Sequence, residues 1–131
     1  YLLGLLCSTP FDWYARRFVE LHVNFFIFNR FPIPVCDSED RCCSRIVEIA
    51  GRLSAVDDRY KSWAKEVGVP VGSVKTQSEK EDLIAELDAV VAHLYGLNEG
   101  DIEVIWDTFH TTVDHLPNLE MVLDHFARWS S

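Results

Sequence analysis

Five side chains in the first thirty residues have the types and spacing to contact a nucleic acid. Arg16, Arg17, Asn24, Asn29 and Arg30 flank a run of aromatic residues, and only Asp12 and Glu20 stand near to neutralise the three arginines. A guanidinium binds phosphate or a guanine edge, and an asparagine amide matches the donor and acceptor of an adenine edge, so these five are the candidate contacts. A second basic set, Arg41, Arg45, Arg52 and Arg59, falls on one stripe of a helical segment. Such a stripe can follow a phosphate backbone. The stronger reading is ion pairing, because an antiparallel hairpin brings Arg59 near Glu81, Asp82 and Glu86, and Arg45 near Glu99 and Asp101.

Other reactive side chains lead nowhere definite. His110 and His115 with Cys36, Cys42 and Cys43 carry metal-ligating atoms, but their spacing matches no zinc pattern. Cys42 and Cys43, adjacent on a helix, point about 100° apart and chelate one ion poorly. Asp107, His110 and Asp114 offer acid–base groups without a Ser or Cys nucleophile beside them, so ordinary loop polarity is the better account. The chain has no phosphate loop, Gly-x-Gly-x-x-Gly turn, Gly-x-Ser-x-Gly elbow or His-Glu-x-x-His helix. No catalytic, cofactor-binding or metal-ligating residue is therefore assigned.

Composition bounds the elements that must position the basic cluster. With 131 residues the chain suffices for one core but not two. Hydrophobic residues at 48% and charged residues at 25% describe a globular sequence. The net charge of −9 argues against an autonomous phosphate-binding protein. That charge lies wholly beyond residue 70: nine basic and nine acidic side chains precede it, three and twelve follow. Any polyanion contact belongs in the first half. Cysteines at 7, 36, 42 and 43 make no Cys-x-x-Cys pair, so no disulfide scaffold is expected and a reducing cytoplasm is. No apolar run approaches the ~18 residues of a membrane span. A first residue of Tyr, already in mid-pattern, suggests a piece of a longer protein.

Periodicity predicts a mainly α fold. Thr9-Pro10-Phe11-Asp12 reads as a helix start, capped by Thr9, with an aromatic face continuing to about His22. Val23 to Asn29, β-branched and aromatic, reads as an extended segment without a partner strand. Cys36-Asp37-Ser38 offers the next cap. Ile46, Ile49, Leu53, Val56, Tyr60, Trp63 and Val67 then form a heptad seam, broken by Gly68, Pro70 and Gly72. Thr76 to Glu79 is a capping box opening a helix with the seam Leu83, Leu87, Val90, Leu94 and Leu97. The two seams predict an antiparallel helical hairpin, with additional short helices and at most one or two short β segments. One of the short helices is capped by Asn98 and Asp101 and holds Ile102, Ile105, Trp106 and Phe109. The other follows Pro117 with Leu119, Val122, Leu123 and Phe126 on one face.

Three stretches carry a resemblance. Leu2-Leu-Gly-Leu-Leu-Cys-Ser8 with Phe11-Asp-Trp-Tyr-Ala-Arg16, then His22-Val-Asn-Phe-Phe-Ile-Phe-Asn-Arg-Phe-Pro-Ile-Pro34, and Glu86-Leu-Asp-Ala-Val-Val-Ala-His-Leu-Tyr-Gly-Leu-Asn-Glu-Gly-Asp-Ile102 resemble the C-terminal region of type IIG-like restriction-modification enzymes. Those are adenine-specific DNA methyltransferases in which methylase, target recognition and often endonuclease share one chain. Cys7 departs from the family's Asn at that turn, which is assigned no role. The resemblance implies the end of a target-recognition region over 1–35 and a helical C-terminal module over 36–131, with the hairpin at about 38–97, together one compact unit. It places the methylase core, its Asn-Pro-Pro-Tyr motif and its S-adenosylmethionine pocket upstream in the parent chain. The partners implied are that upstream domain, DNA in the intact enzyme and a possible second copy, with no membrane. The reading from another class is a helical protein-interaction or oligomerisation module without DNA contact, whose seams pair with a second copy or another subunit.

Overall fold

The computed structural model describes residues 1–19, 22–37, 39–109 and 114–130. Its helices are α1 (Leu2–Leu6), α2 (Thr9–Ala15), α3 (Phe25–Phe28), α4 (Arg41–Ser54), α5 (Lys61–Val67), α6 (Gln77–Leu94), α7 (Glu99–Thr108) and α8 (Leu116–Trp129), with a 3-10 turn over Asp58–Tyr60 before α5. The fold is mainly α, and no strand occurs among the described residues.

Two capping boxes act as their sequences predict. Thr76 and Glu79 exchange hydrogen bonds at the start of α6, and Asn98 and Asp101 do so at the start of α7, each satisfying two otherwise orphaned N–H groups. Other caps differ. Ser8, not Thr9, caps α2 by accepting from the Phe11 N–H, and α2 ends at Ala15 rather than near His22. Beyond it the backbone tightens, with Arg17 N–H bonding Tyr14 O and Phe18 N–H bonding Ala15 O. This turn lets Phe18 fold back onto Tyr14 at 5.0 Å between ring centres. The cap of α4 is Asp40, whose carboxylate accepts from the N–H groups of Cys42 and Cys43. Of the expected cap, Ser38 lies outside the described residues.

The segment expected to be extended is the helical turn α3. The Asn24 side chain accepts from Ile27 N–H, and the N–H groups of Phe28 and Asn29 bond the carbonyls of Asn24 and Phe25. A single capped turn satisfies these groups without any partner strand, so local hydrogen bonding overrides the β propensity of the side chains.

The long heptad helix is also interrupted. α4 stops at Ser54, and Val56 and Tyr60 of the predicted seam are exposed. Ala55, Ala64 and Val69 instead close a small core with Trp63, Val67 and Val71, while Gly72 N–H bonds Ala55 O at 2.7 Å. Asp57 starts the 3-10 turn by accepting from Arg59 N–H. Gly51 admits this fold-back, because a Cβ there would sit 2.9 Å from Val69 Cγ1 and 3.0 Å from Val67 Cγ1.

The hairpin exists as α4 against α6, but α6 is more than one arm of it. Ile46 and Ile49 of α4 pack with Leu83, Leu87, Val90 and Val91 in one core cluster. Across the helix, Ala85, Ala89 and Ala92 face Ile102, Ile105, Trp106, Val122 and Phe126 of α7 and α8. Small residues on that side let the second layer approach closely, which makes α6 the axis of the molecule. Arg52 Nε donates to Ser73 Oγ at 3.4 Å, just before α6, and Arg45 pairs with Glu86 near its middle. This register is antiparallel, but Arg45 meets Glu86 and Glu48 rather than Glu99 or Asp101, and Arg59 pairs with Asp57 rather than with α6. Breaking the helix at Ser54 removed Arg59 from the stripe.

One further expectation is corrected. Cys36 and Cys43 form a disulfide with their Cα atoms 5.7 Å apart, because the chain entering α4 doubles back over its first turn. Cys7 and Cys42 are free. No described helix is long and apolar enough to cross a membrane.

Candidate nucleic-acid interface

The basic N-terminal segment is held together and fastened to the helical layers by half-buried and exposed hydrogen bonds. Thr9 N–H donates to Asp88 Oδ1 at 2.7 Å, Tyr95 Oη to Pro32 O at 2.8 Å, and Tyr1 Oη to Pro34 O at 2.8 Å. Trp13 Nε1 donates to Thr108 Oγ1 at 2.9 Å. Burial, with Tyr1 and Tyr14 nearby, pushes the Tyr95 phenol up to about 12, so its proton stays in place for Pro32. The three sequence stretches that carried the resemblance therefore meet in space: Thr9, between the two pieces of the first, bonds Asp88 of the third, and the second bonds the third through Pro32 and Tyr95.

An aromatic cluster shapes this end. Phe31 is buried and stands edge-on to Phe11 at 5.5 Å and to Tyr14 at 6.0 Å. Around it Tyr14, Phe18, Phe26, Ile27, Arg30 and Phe31 line an open cleft of about 330 Å³. Phe25 and Phe26 are each 82% exposed, an unusual state for adjacent apolar rings.

The five candidate residues are now distinguishable. Arg16 bonds Asp12 at 2.9 Å and lies over the Phe109 ring at 4.9 Å. Arg17 lies over Trp13 at 4.3 Å. Asn24 spends its carbonyl on the α3 cap. Asn29 and Arg30 sit on the exposed turn after α3, and among the described residues no carboxylate pairs with Arg30. Arg30 thus keeps its charge available, and Arg17 offers a guanidinium already stacked on a ring. Comparison of the chain with protein-family models, with curated proteins and with solved structures finds no match.

The second basic stripe is consumed by the fold. Arg45 makes paired hydrogen bonds to Glu86, through Nε at 2.9 Å and Nη2 at 2.5 Å, and a further contact to Glu48 at 2.7 Å. These bonds hold the Arg45 guanidinium charged. Burial opposes charge on Glu86, yet the Arg45 bonds and the Trp129 indole bring its carboxyl below the usual range. Arg41 lies over the Trp129 ring at 4.3 Å.

Of the proposed metal and acid–base groups, His110 lies outside the described residues. Among those described, no group of three or more His, Cys, Asp or Glu side chains is placed to hold a metal. Among the described residues, the cleft is lined by no carboxylate. Two features escaped the sequence patterns. Phe18 and Phe26 look like core aromatics until the end of α2 and the turn of α3 leave them at the surface. Asp88 sits in an apolar helix where nothing local marks it as the partner of Thr9.

Proposed function

We propose that this chain is a non-catalytic specificity and scaffold segment of an adenine-specific DNA-modification enzyme, with its α2–α3 end turned toward DNA. The observation that carries the reading is Arg30, which no carboxylate pairs among the described residues, beside exposed aromatic rings on a chain that is otherwise strongly acidic. Phosphate attraction at that end and repulsion from the acidic surface of α6 and α7 orient the molecule in one way only. The resemblance supplies the class: methyl transfer from S-adenosylmethionine belongs to a methylase domain upstream in the parent chain, in the cytoplasm, and the present residues hold and orient. The buried seams weigh against the rival reading, because Ile46, Ile49, Leu83, Leu87 and Val90 are spent inside the chain and offer no face to a second copy.

The test is the reading frame upstream of residue 1, together with DNA binding by its product. An Asn-Pro-Pro-Tyr methylase core in that frame, and loss of DNA affinity on Arg17→Ala or Arg30→Ala in the longer protein, support the assignment. A frame without such a core, or a longer protein whose DNA affinity ignores both arginines, overturns it.

A further inference from the structure

We propose that the cleft between α2 and α3 is a binding site for one nucleotide, with the base stacked among Tyr14, Phe18 and Phe26 and the phosphate on Arg30. The nucleotide is either part of a single strand or free. The inference deepens the proposed function and rests on its placing of nucleic acid at this end of the molecule.

Size comes first. The cleft holds about 330 Å³, within the range of sites that enclose small planar ligands. Its inner walls are set: Tyr14, Phe18 and Phe31 stand 5.0, 6.0 and 6.2 Å apart between ring centres, and Phe31 is buried against Phe11 and Phe28. Its outer wall is Phe26, whose ring faces water over 82% of its surface. A core aromatic is hidden by its own fold, whereas this one is displayed on a helical turn whose backbone bonds and Asn24 cap keep it there. Aromatic faces of this kind take any nucleobase, since every base presents a π-face.

Charge narrows the ligand. Arg30 lines the same cleft and has no carboxylate partner among the described residues. From Phe11 to Cys36 the sequence carries three arginines against Asp12 and Glu20, a small positive excess inside a chain of net charge −9, so this stretch favours an anion against the trend of the molecule. A base with its phosphate joins the two properties, a flat ring and a negative charge, in one ligand. A lipid surface fits less well, because membrane-surface binding uses a long amphipathic helix and α3 has four residues.

The experiment is fluorescence anisotropy of the 131-residue chain at low salt with a labelled short single-stranded DNA, the matching duplex, and unlabelled dAMP as competitor. The single strand should bind more tightly than the duplex. Phe26→Ala should weaken it by about ten-fold, the scale of one lost base stack. Phe25→Ala is the control: equally exposed but outside the cleft, it should change affinity less than about two-fold. Arg30→Ala should weaken binding and reduce the salt slope by about 0.7, one phosphate contact on a single strand. Competition by dAMP extends the site to free nucleotides, and its absence confines the site to a strand; both support the cleft. All three substitutions are at exposed positions, and circular dichroism checks that folding is kept. Failure to bind the single strand, equal losses from Phe25→Ala and Phe26→Ala, or Phe26-dependent binding to anionic phosphatidylserine vesicles in place of DNA would each overturn the inference. Arginine-dependent duplex binding by the longer protein with no effect of Phe26→Ala would sink the cleft and leave the proposed function standing.

Discussion

Asp88 is the most deeply buried carboxylate among the described residues. It is 1% exposed, its Oδ1 accepts from Thr9 N–H, and its Oδ2 has no hydrogen-bond partner among the described residues. Burial pushes its carboxyl from 3.8 up to about 7, with the Thr9 bond pulling the other way. Between those values the folded protein keeps a proton that the unfolded chain has lost. The stabilising effect of that proton is therefore complete below the unfolded value and is lost as pH rises through about 7. Asp88→Asn keeps an acceptor for Thr9 and removes the charge. Its stability should match the parent near the acid end and exceed it by on the order of 2–4 kcal/mol above neutrality, measured by denaturant unfolding across that range. Parallel curves for the two proteins would contradict this picture. Arg45 presents the opposite case, a charge held by its partner. Arg45→Met leaves the buried Glu86 without its guanidinium and should cost about 2–3 kcal/mol, whereas Arg59→Met, at an exposed pair, should leave stability nearly unchanged.

At the scale of elements, stability depends on how closely the helices approach α6 and one another. Leu87 is 3% exposed at the α4–α6 contact, so Leu87→Ala should cost about 2–5 kcal/mol through lost burial and a cavity. Leu53, at the frayed end of the seam, is only partly buried and should cost less. Gly4 brings α1 onto α4: a Cβ there would lie 2.6 Å from Ile46 Cγ2 and 3.2 Å from Ala50 Cβ. Gly4→Ala should thus destabilise by about 1–3 kcal/mol, against the usual helix-favouring effect of alanine. A neutral or stabilising Gly4→Ala in thermal unfolding would show that α1 is not seated there. The heptad pattern identified α4 and α6 correctly but overran at Ser54, because spacing records which residues are apolar and not where the chain turns to bury them. The β-branched run at 23–29 misled in a similar way, since one asparagine cap sufficed to close a helical turn.

At the scale of the whole molecule, charge distribution decides what can approach and from where. The acidic helices α6 and α7 repel a phosphate backbone, and Arg17 and Arg30, which no described carboxylate pairs, lie at the α2–α3 end. The isolated chain should bind duplex DNA weakly at low salt and not measurably at physiological salt, in a filter-binding or anisotropy titration. Tight, sequence-specific duplex binding by this chain alone would contradict the assignment of specificity to a larger protein. On the proposed function, neutral substitutions at Glu81 and Asp82 should not weaken DNA binding by the parent enzyme; a loss there with the arginines silent would place DNA on the opposite face.

What the sequence determined by itself is what depends on near neighbours: the helical class, the capping boxes at Thr76 and Asn98, the apolar seams and the charge asymmetry. Each is set by contacts within a turn or two, where spacing and side-chain type decide the outcome. The tertiary structure alone decided that α6 is buried on two faces, that Arg45 pairs with Glu86, that Asp88 receives Thr9 across 79 residues, and that Phe26 is displayed rather than buried. Those outcomes depend on which distant segments come together. An alanine face, an isolated carboxylate and an aromatic ring look the same in a sequence whether they meet a neighbouring helix, a buried N–H or water, and only the packed chain assigns the partner.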